Sequence, residues 1–530
     1  MHQAETQAAG DARTGTVPPA LWVAAACLYV GLVAAKIYLG ARLDLFGDGA
    51  FYWLESRHPA ISYSDVPFLA PLMVGLGTAA LGDTVLGARS LFIAVGSTLP
   101  FALYWMARPL VGHRDAVIAA IFSLLIPVPG TLGLLVIPDV PLLILSVLTL
   151  GALERATRTG MLRWWVLTGI FAACAFNAHY RFFFFVLAAF LYLVLTPGGR
   201  AQWRHRGLYI ATAIAALGLI PVLWFNLSNR LAGVAFHFVG RHPWQFDPEG
   251  LVYLLTQLVW VTPLIFLTVA VTRWHLILQS RIGDDRSALR LAFPVAYLVP
   301  FVVLSPWAVG GNSTTAHWSL FAYMPLLVYV APTLRQLSQR FGRWTWLVPA
   351  SGAMFMTLTV ASVTLTAHYP TISENARRFA TDKMSGWPDV GAAMEARLAA
   401  HPELAEGLVV ADNYYLATQL AHTTKRTSGL YNLDNHKIYR HGRAVQRAIW
   451  GFGERGLRTD HVGKQALVVF EIAGARPARF CRVFETLTPI DTFELFEGER
   501  RYRFFIGGPL RPMEAPKPSG DCVQEGPATG

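Results

Sequence analysis

Residues 115–154 read DAVIAAIFSLLIPVPGTLGLLVIPDVPLLILSVLTLGALE, and this stretch decides the class of fold. Two apolar runs flank a segment holding Pro127, Pro129, Pro138 and Pro141. An α-helix rises about 1.5 Å per residue and the hydrocarbon core of a bilayer is about 30 Å thick, so about 20 mostly apolar residues cross it. Proline lacks an N–H and ends helices, so the two runs read as spans joined by a short loop. Arg114 stands before the first span, and Arg155 and Arg158 follow the second. The loop between them carries one acid, Asp139, and no basic residue.

The same pattern repeats outward from this pair. Apolar runs near 19–40, 88–112, 115–135, 138–154, 164–178, 182–196, 208–226, 250–272, 290–309, 318–333 and 344–367 predict about eleven spans. The first has little positive charge ahead of it and no clear small-residue cleavage site after it, so it does not read as a cleavable signal. One set of alternate loops holds Arg114, Arg155, Arg158, Arg163, Arg200, Arg204, Arg206, Arg273, Arg281, Arg286, Arg290, Arg335, Arg340 and Arg343. The other holds Arg42, Arg57, Arg89, Arg181, Arg230 and Arg241. Basic loops stay cytoplasmic, which predicts a multi-pass membrane protein with a cytoplasmic N-terminus. Everything after the last span is then on the outer side, which is the periplasm if the membrane is a bacterial inner (cell) membrane.

Composition agrees. The chain of 530 residues is 54% hydrophobic and 15% charged, against roughly 25% charged in soluble domains, which excludes an ordinary soluble enzyme. Disorder is excluded too, because disordered chains are poor in apolar residues. The formal charge of +11 follows from basic loops and does not require nucleic acid as a partner.

The chain divides into a helical membrane domain, 1–367, and a more polar region, 368–515, with a Pro- and Gly-rich tail, 516–530, expected to be disordered. Short apolar runs at Gly407–Ala411 and Ala466–Ile472 predict strands, and helix-like segments lie near 387–400 and 412–421. The second region is therefore a small α/β domain on the outer face. Cys27 and Cys174 fall in spans and read as small apolar side chains. Cys481 and Cys522 lie on the side where disulfides persist, and a bridge between them would pin the tail to a strand. No Cys/His spacing typical of zinc is present.

Ionisable groups at membrane depth are costly and point to function. Here they gather on the outer side. The first outer loop carries Asp48, Glu55 and Asp65, with Phe51, Tyr52, Trp53 and Leu54 forming what reads as a short interfacial helix. The second carries Asp139, either a helix cap or a site residue. The third reads Asn177-Ala-His179-Tyr180-Arg181, the fourth contains Asn226, His237 and Arg241, and the fifth ends Ala316-His317-Trp318. In the outer domain, Asp412-Asn-Tyr-Tyr415, Asn432-Leu-Asp434-Asn435-His436 and His441-Gly-Arg443-Ala-Val-Gln446 offer groups suited to carbohydrate hydroxyls or, equally, to turns.

These residues resemble the GT-C superfamily of glycosyltransferases, in its protein mannosyltransferase branch (glycosyltransferase family 39 type), which includes bacterial aminoarabinose transferases and rhizobial galacturonosyltransferases. The resemblance rests on Gly47-Asp48-Gly-Ala-Phe-Tyr-Trp, Tyr63-Ser-Asp65-Val-Pro67, Pro138-Asp139-Val-Pro141 and Ala178-His179-Tyr180. It continues through Pro221-Val-Leu-Trp-Phe-Asn226 and Ala316-His317-Trp318 with Tyr323 and Pro325. It runs from residue 20 to about 330 and more loosely beyond. Two departures stand out: the family's Asp-Glu pair is Asp48-Gly49, and its usual lysine is His179, with Arg181 two residues on.

The resemblance implies an inverting enzyme that moves a sugar from a polyprenyl-phosphate donor to an acceptor, which could be lipid A, a polysaccharide or a protein. Inversion needs a general base for the acceptor hydroxyl, and Asp48 is expected in that role. Glu55, Asp65, Asp139, His179, Tyr180, Arg181, Asn226, Arg241, His317 and Trp318 are expected to bind substrate. Among them Arg181 suits the departing phosphate, because a guanidinium offers two parallel hydrogen bonds. The residues single out no cofactor, and a divalent cation between Asp48 and a phosphate stays open. The competing class, a transporter or flippase of a lipid-linked substrate, predicts paired halves with polar groups near midplane; this sequence shows neither.

Overall fold

In the computed structural model of the chain, the described residues are 16–237, 244–281, 283–308, 316–368, 382–404, 406–433, 442–472, 477–515 and 522–524. They form two compact units. One comprises Met1–Ala41, Val66–Trp224 and His242–Ser362, the other Arg42–Asp65, Phe225–Arg241 and Val363–Gly530.

The first unit is helical. Among the described residues, five helices are long and apolar enough to cross a membrane: Pro19–Arg42, Val85–Leu125, Asp139–Thr159, Asp285–Trp307 and Val330–His368. Three bent pairs raise the number to as many as eight, and Leu69–Leu81 and Leu162–Phe176 are shorter apolar helices. Each expected run overlaps a helix, yet the helices do not divide as eleven simple spans. Val85–Leu125 takes in most of two runs, broken at Gly112, whose φ of 81° interrupts the helix. Conversely, Pro263–Arg281 bends by 107° from the helical stretch before it, at Thr262. Hydropathy counts apolar residues but does not register a break inside a run.

The loop preceding Asp139 is fixed from below by two buried cations. Lys36 Nζ donates to Ser97 Oγ (2.7 Å) and to the Leu132 carbonyl (3.2 Å). Arg89 donates through Nε to the Leu134 carbonyl (3.1 Å) and through Nη1 to that of Gly40 (2.8 Å). Carbonyl oxygens thereby meet part of the cost of burying the two charges. Between the two anchored carbonyls, Gly133 has φ +98°, and a Cβ there would come within 2.2 Å of the Phe92 carbonyl oxygen. Only glycine fits.

The second unit is built on a five-stranded sheet in the order β2-β1-β3-β5-β4, with β1 Val409–Ala411, β2 Leu430–Asn432, β3 Ala466–Glu471, β4 Phe484–Leu495 and β5 Arg500–Leu510. β1 pairs in parallel with β2 and β3, while β5 runs antiparallel between β3 and β4. The fully buried β1 and nearly buried β3 match the apolar runs read as strands, as strands in a parallel layer should. Cys481 and Cys522 are joined by a disulfide. Around it, Val523 pairs with Leu487 of β4, so Cys522–Gln524 of the tail are ordered against the sheet. The remainder of 516–530 lies outside the described residues.

Residues 42–65 belong to this unit, and their helix, Gly47–Arg57, is buried by protein. Phe51 stacks on Trp450 (6.0 Å between ring centres) and meets Tyr414 edge-on, and Trp53 meets His422 at 5.3 Å. Phe51, Tyr52, Trp53 and Leu54 are at most 1% exposed. The interfacial position expected from their aromatic character is thus corrected: rings that would suit a lipid headgroup layer pack equally well against other rings. Tyr415 lies so close to Gly47 that a Cβ there would sit 2.0 Å from its ring.

Candidate functional site

Two polar centres emerge, one in each unit. In the second unit Asp48 occupies the first turn of the Gly47–Arg57 helix, where the helix dipole favours a negative charge. Its Oδ1 accepts from Arg443 Nη1 at 2.7 Å. The same guanidinium donates through Nε to Asp65 Oδ2 (3.0 Å) and through Nη2 to the Tyr52 hydroxyl (3.2 Å). Arg443 therefore binds two carboxylates and a phenol with three different nitrogens.

Local packing explains how Arg443 arrives there. It is the second residue of the Gly442–Ile449 helix. The Ser64 hydroxyl bonds the Gly442 carbonyl, and the Ser64 N–H donates to Gln446 Oε1 at 2.9 Å. A Cβ on Gly442 would lie 2.9 Å from the Asp65 side chain and 2.8 Å from Phe236. The absent side chain lets the helix start come close enough for Arg443 to reach both acids. His237 Nε2 lies 3.1 Å from the Asp65 carbonyl oxygen.

Glu55, expected to bind substrate, is fully buried. Neither Glu55 carboxyl oxygen nor Asp65 Oδ1 receives an N–H or hydroxyl donor among the described residues, and the two carboxyls lie close enough for a protonated Glu55 to hydrogen-bond Asp65. Burial first, and then the neighbouring Asp65 carboxyl, push Glu55 well above the usual carboxylate range, against a smaller pull from Arg443. Asp65 is also raised by burial, with Arg443 drawing it back. Of the pair, Glu55 is therefore the carboxyl that favours its protonated form, and Asp65 is the one bound to arginine. Asn226 is also structural in its contacts: Oδ1 accepts from the Val234 N–H (2.9 Å) and its carbonyl from Leu231 (2.7 Å).

In the first unit Asp139 is the first residue of the Asp139–Thr159 helix, whose N-cap position belongs to Pro138. The Asp139 Oδ2 accepts from Arg181 Nη2 at 2.7 Å, and His317 Nε2 lies 3.8 Å away. His179 Nδ1 accepts from the Arg181 N–H (3.0 Å), and Tyr180 meets the His179 ring edge-on. The Arg181 guanidinium lies over the Trp318 ring at 5.0 Å. Its Nη1 is buried and has no hydrogen-bond partner among the described residues.

The segment carrying His317 and Trp318 is held from behind. Ser319 Oγ accepts from the Tyr253 hydroxyl (3.0 Å) and donates to Gln257 Oε1 (2.9 Å), which also accepts from Tyr323 (2.8 Å). The structure thus brings together Asp48 with Asp65, and Asp139 with His179, Tyr180, Arg181, His317 and Trp318. Arg241 lies outside the described residues. Arg443 is the participant that sequence reasoning did not assign: His441-Gly-Arg443 marked a polar cluster, but nothing in it pointed to partners 378 and 395 residues away. Among the described residues no group of three or more His, Cys, Asp and Glu side chains is placed to hold a metal ion.

Residues 65–225 match the family model described as dolichyl-phosphate-mannose-protein mannosyltransferase. The fold resembles that of ArnT from Cupriavidus metallidurans bound to undecaprenyl phosphate, with a TM-score of 0.62 at 14% identity over 93% of this chain and 100% of that one. The apo form of ArnT gives the same score over 92% and 99%. These comparisons support the GT-C superfamily of glycosyltransferases as the class of the protein. Among curated relatives, the chain is 23% identical over 285 residues to the lipid A galacturonosyltransferase RgtD of Rhizobium johnstonii. That match covers 53% of this chain and 59% of the relative's length.

Proposed function

We propose that the chain is an inverting glycosyltransferase that moves a sugar from a polyprenyl-phosphate donor to an acceptor at the outer face of a bacterial inner membrane. The N-terminus is cytoplasmic and the sheet-bearing unit periplasmic in this reading. The observation that carries it is Arg181, an always-charged group with one nitrogen committed to Asp139 and another buried without a partner. A phosphate oxygen satisfies that nitrogen with a charge-assisted hydrogen bond.

In the reaction, the acceptor hydroxyl attacks the anomeric carbon while Asp48 takes its proton. The bond from that carbon to the phosphate oxygen breaks, and its electron pair leaves on the polyprenyl phosphate. Arg181 and His317 stabilise the added negative charge, while His179, which accepts from Arg181, orients it. Arg443 holds Asp48 in place, and Asp139 orients Arg181. Support comes from ArnT, a fold relative bound to undecaprenyl phosphate, and from RgtD, named for transfer to lipid A.

The test is transfer in vesicles holding the full chain, offered polyprenyl-phosphate-linked sugars and an envelope acceptor extract, with products identified by mass spectrometry. Sugar should appear on lipid A, polysaccharide or protein with wild type and vanish with Asp48→Asn. Movement of intact donor across the vesicle membrane without transfer would overturn the proposal. Repeating the assay with EDTA tests for a divalent cation: loss of transfer would add one to the reaction, and unchanged transfer assigns charge neutralisation to the arginines.

A further inference from the structure

β1 is the strand at which the sheet of the second unit reverses its order. The chain passes from β1 to β2 on one side of it and later enters β3 on the other, and both neighbours are parallel to β1. In open α/β sheets ligands bind in the crevice beyond the carboxyl ends of the strands at such a reversal. Here Asp412 and Asn413 follow β1 directly, and the helix Tyr414–Thr424 starts from them.

This edge adjoins the Asp48 centre. The Tyr415 ring packs on Gly47, the residue before Asp48, and lies close enough to Asp48 for the two to interact electrostatically. Tyr414 stands in the same relation to Arg443. Both flank Phe51: Tyr414 meets its ring edge-on, with 6.4 Å between centres, and the Arg443 guanidinium lies 5.6 Å from the ring centre. At the edge itself Asn413 is committed, because Oδ1 accepts from the Leu416 N–H (2.9 Å) and Nδ2 donates to Asp412 Oδ1 (2.7 Å). Asp412 is thereby oriented through one oxygen. Asp412 and Tyr414 are both partly exposed.

We propose that the carboxyl edge of β1 is an acceptor subsite, where Asp412 and Tyr414 hold hydroxyls of a carbohydrate while a further hydroxyl meets Asp48. The assignment rests on Asp48 being the base, as proposed above, and adds the chemical class of the acceptor. A sugar ring carries neighbouring hydroxyls that each donate and accept, so it matches a carboxylate that accepts beside a phenol that does both. An extended peptide, by contrast, joins an open sheet edge, and β1 offers none, since β2 and β3 occupy both of its sides.

Binding and transfer by the full chain in detergent test this separately. Lipopolysaccharide freed of its fatty acids by alkali is the glycan probe, and a peptide rich in Ser and Thr is the alternative. Saturation-transfer NMR without donor should detect the glycan on wild type and on Asp48→Asn, and should lose most of that signal with Asp412→Ala. In the transfer assay Asp412→Ala should raise the glycan KM about tenfold, the scale of one hydrogen bond to a charged group. Tyr414→Phe should raise it about threefold, the scale of a neutral one. The donor KM should stay close to wild type in both, a split that general damage to the fold would not produce. Unchanged glycan KM in either variant, or an equal rise in donor KM, would overturn the subsite. So would absence of glycan binding by wild type, or preferential transfer to the peptide. Glycan that binds through Asp412 and is never glycosylated would leave the subsite standing and overturn the proposed reaction instead. Thermal unfolding midpoints within a few degrees of wild type verify that the variants are folded.

Discussion

Two arginines organise the two polar centres, and they differ in how fully they are used. Arg443 is saturated: Nε, Nη1 and Nη2 each engage a different side chain, and its charge is balanced by Asp48 and Asp65. Arg181 is not. It meets one carboxylate, Asp139, through Nη2 and the His179 ring through Nε, rests on the Trp318 ring, and leaves Nη1 buried and unsatisfied. A saturated guanidinium fixes its neighbours, because moving any of them breaks several charge-assisted bonds at once. An open one costs stability until a ligand fills it. The first arrangement suits the positioning of a base, and the second suits the reception of a phosphate.

The comparison fails at once if Asp48 is dispensable. Asp48→Asn removes the proton acceptor while keeping shape and one hydrogen bond to Arg443, so turnover should fall by about 10³-fold, within the range for general bases. Near-normal turnover at saturating donor would show that Arg443 is holding something other than the base. A smaller loss, roughly 10²-fold, is expected for Arg181→Ala, on the scale of removing one donor to developing negative charge. Arg181→Lys should recover only part of it, because an ammonium lacks the planar fork. Titrating donor and acceptor separately checks the assignment: a variant that changes acceptor choice alone is incompatible with a phosphate role.

Arg443→Lys sharpens the contrast. It keeps the charge but cannot span three partners, so kcat should drop by roughly tenfold with the donor KM nearly unchanged. Arg443→Met is a different experiment. It leaves Asp48 and Asp65 without a counter-charge, and destabilisation towards the lower end of about 3–5 kcal/mol is expected because Asp65 is buried but Asp48 is only partly so. A loss of donor affinity in Arg443→Lys would place Arg443 in the ligand-binding role assigned to Arg181.

Much of this was legible in the sequence, for reasons that can be named. Apolar runs report burial directly, so each expected run overlaps a helix and the Gly407–Ala411 and Ala466–Ile472 runs became β1 and β3. The Asp139, Arg181 and His317 cluster was legible because charged groups among apolar residues need partners, and all were on one side of the expected topology. Breaks within runs at Gly112 and Thr262 were not, because local sterics and packing decide them rather than hydropathy. Nor was Arg443, since an ion pair separated by nearly 400 residues leaves no local pattern. The Phe51–Leu54 cluster misled for a related reason: the same aromatic faces serve a lipid interface and a protein core.

The smallest effect is on stability alone and concerns Glu55, the acid that Arg443 does not reach. Burial and the adjacent Asp65 raise its pKa in the folded chain, whereas the unfolded chain should titrate near the ordinary value of about 4.3. Between those two values the folded state holds a proton that the unfolded state has released. Stability is therefore fully present below about pH 4 and declines as pH rises towards the folded pKa. Glu55→Gln keeps the neutral shape, can donate to the unsatisfied Asp65 Oδ1, and has no proton to lose. Its unfolding midpoint in detergent should match wild type at pH 4 and exceed it increasingly as pH rises above the unfolded value towards the raised folded one, with transfer activity at pH 7 changed less than twofold. Parallel midpoint curves for the two proteins would mean that Glu55 is ionised in the fold. Arg443 would then be balancing three carboxylates, and its saturation, the basis of its contrast with Arg181, would be incomplete.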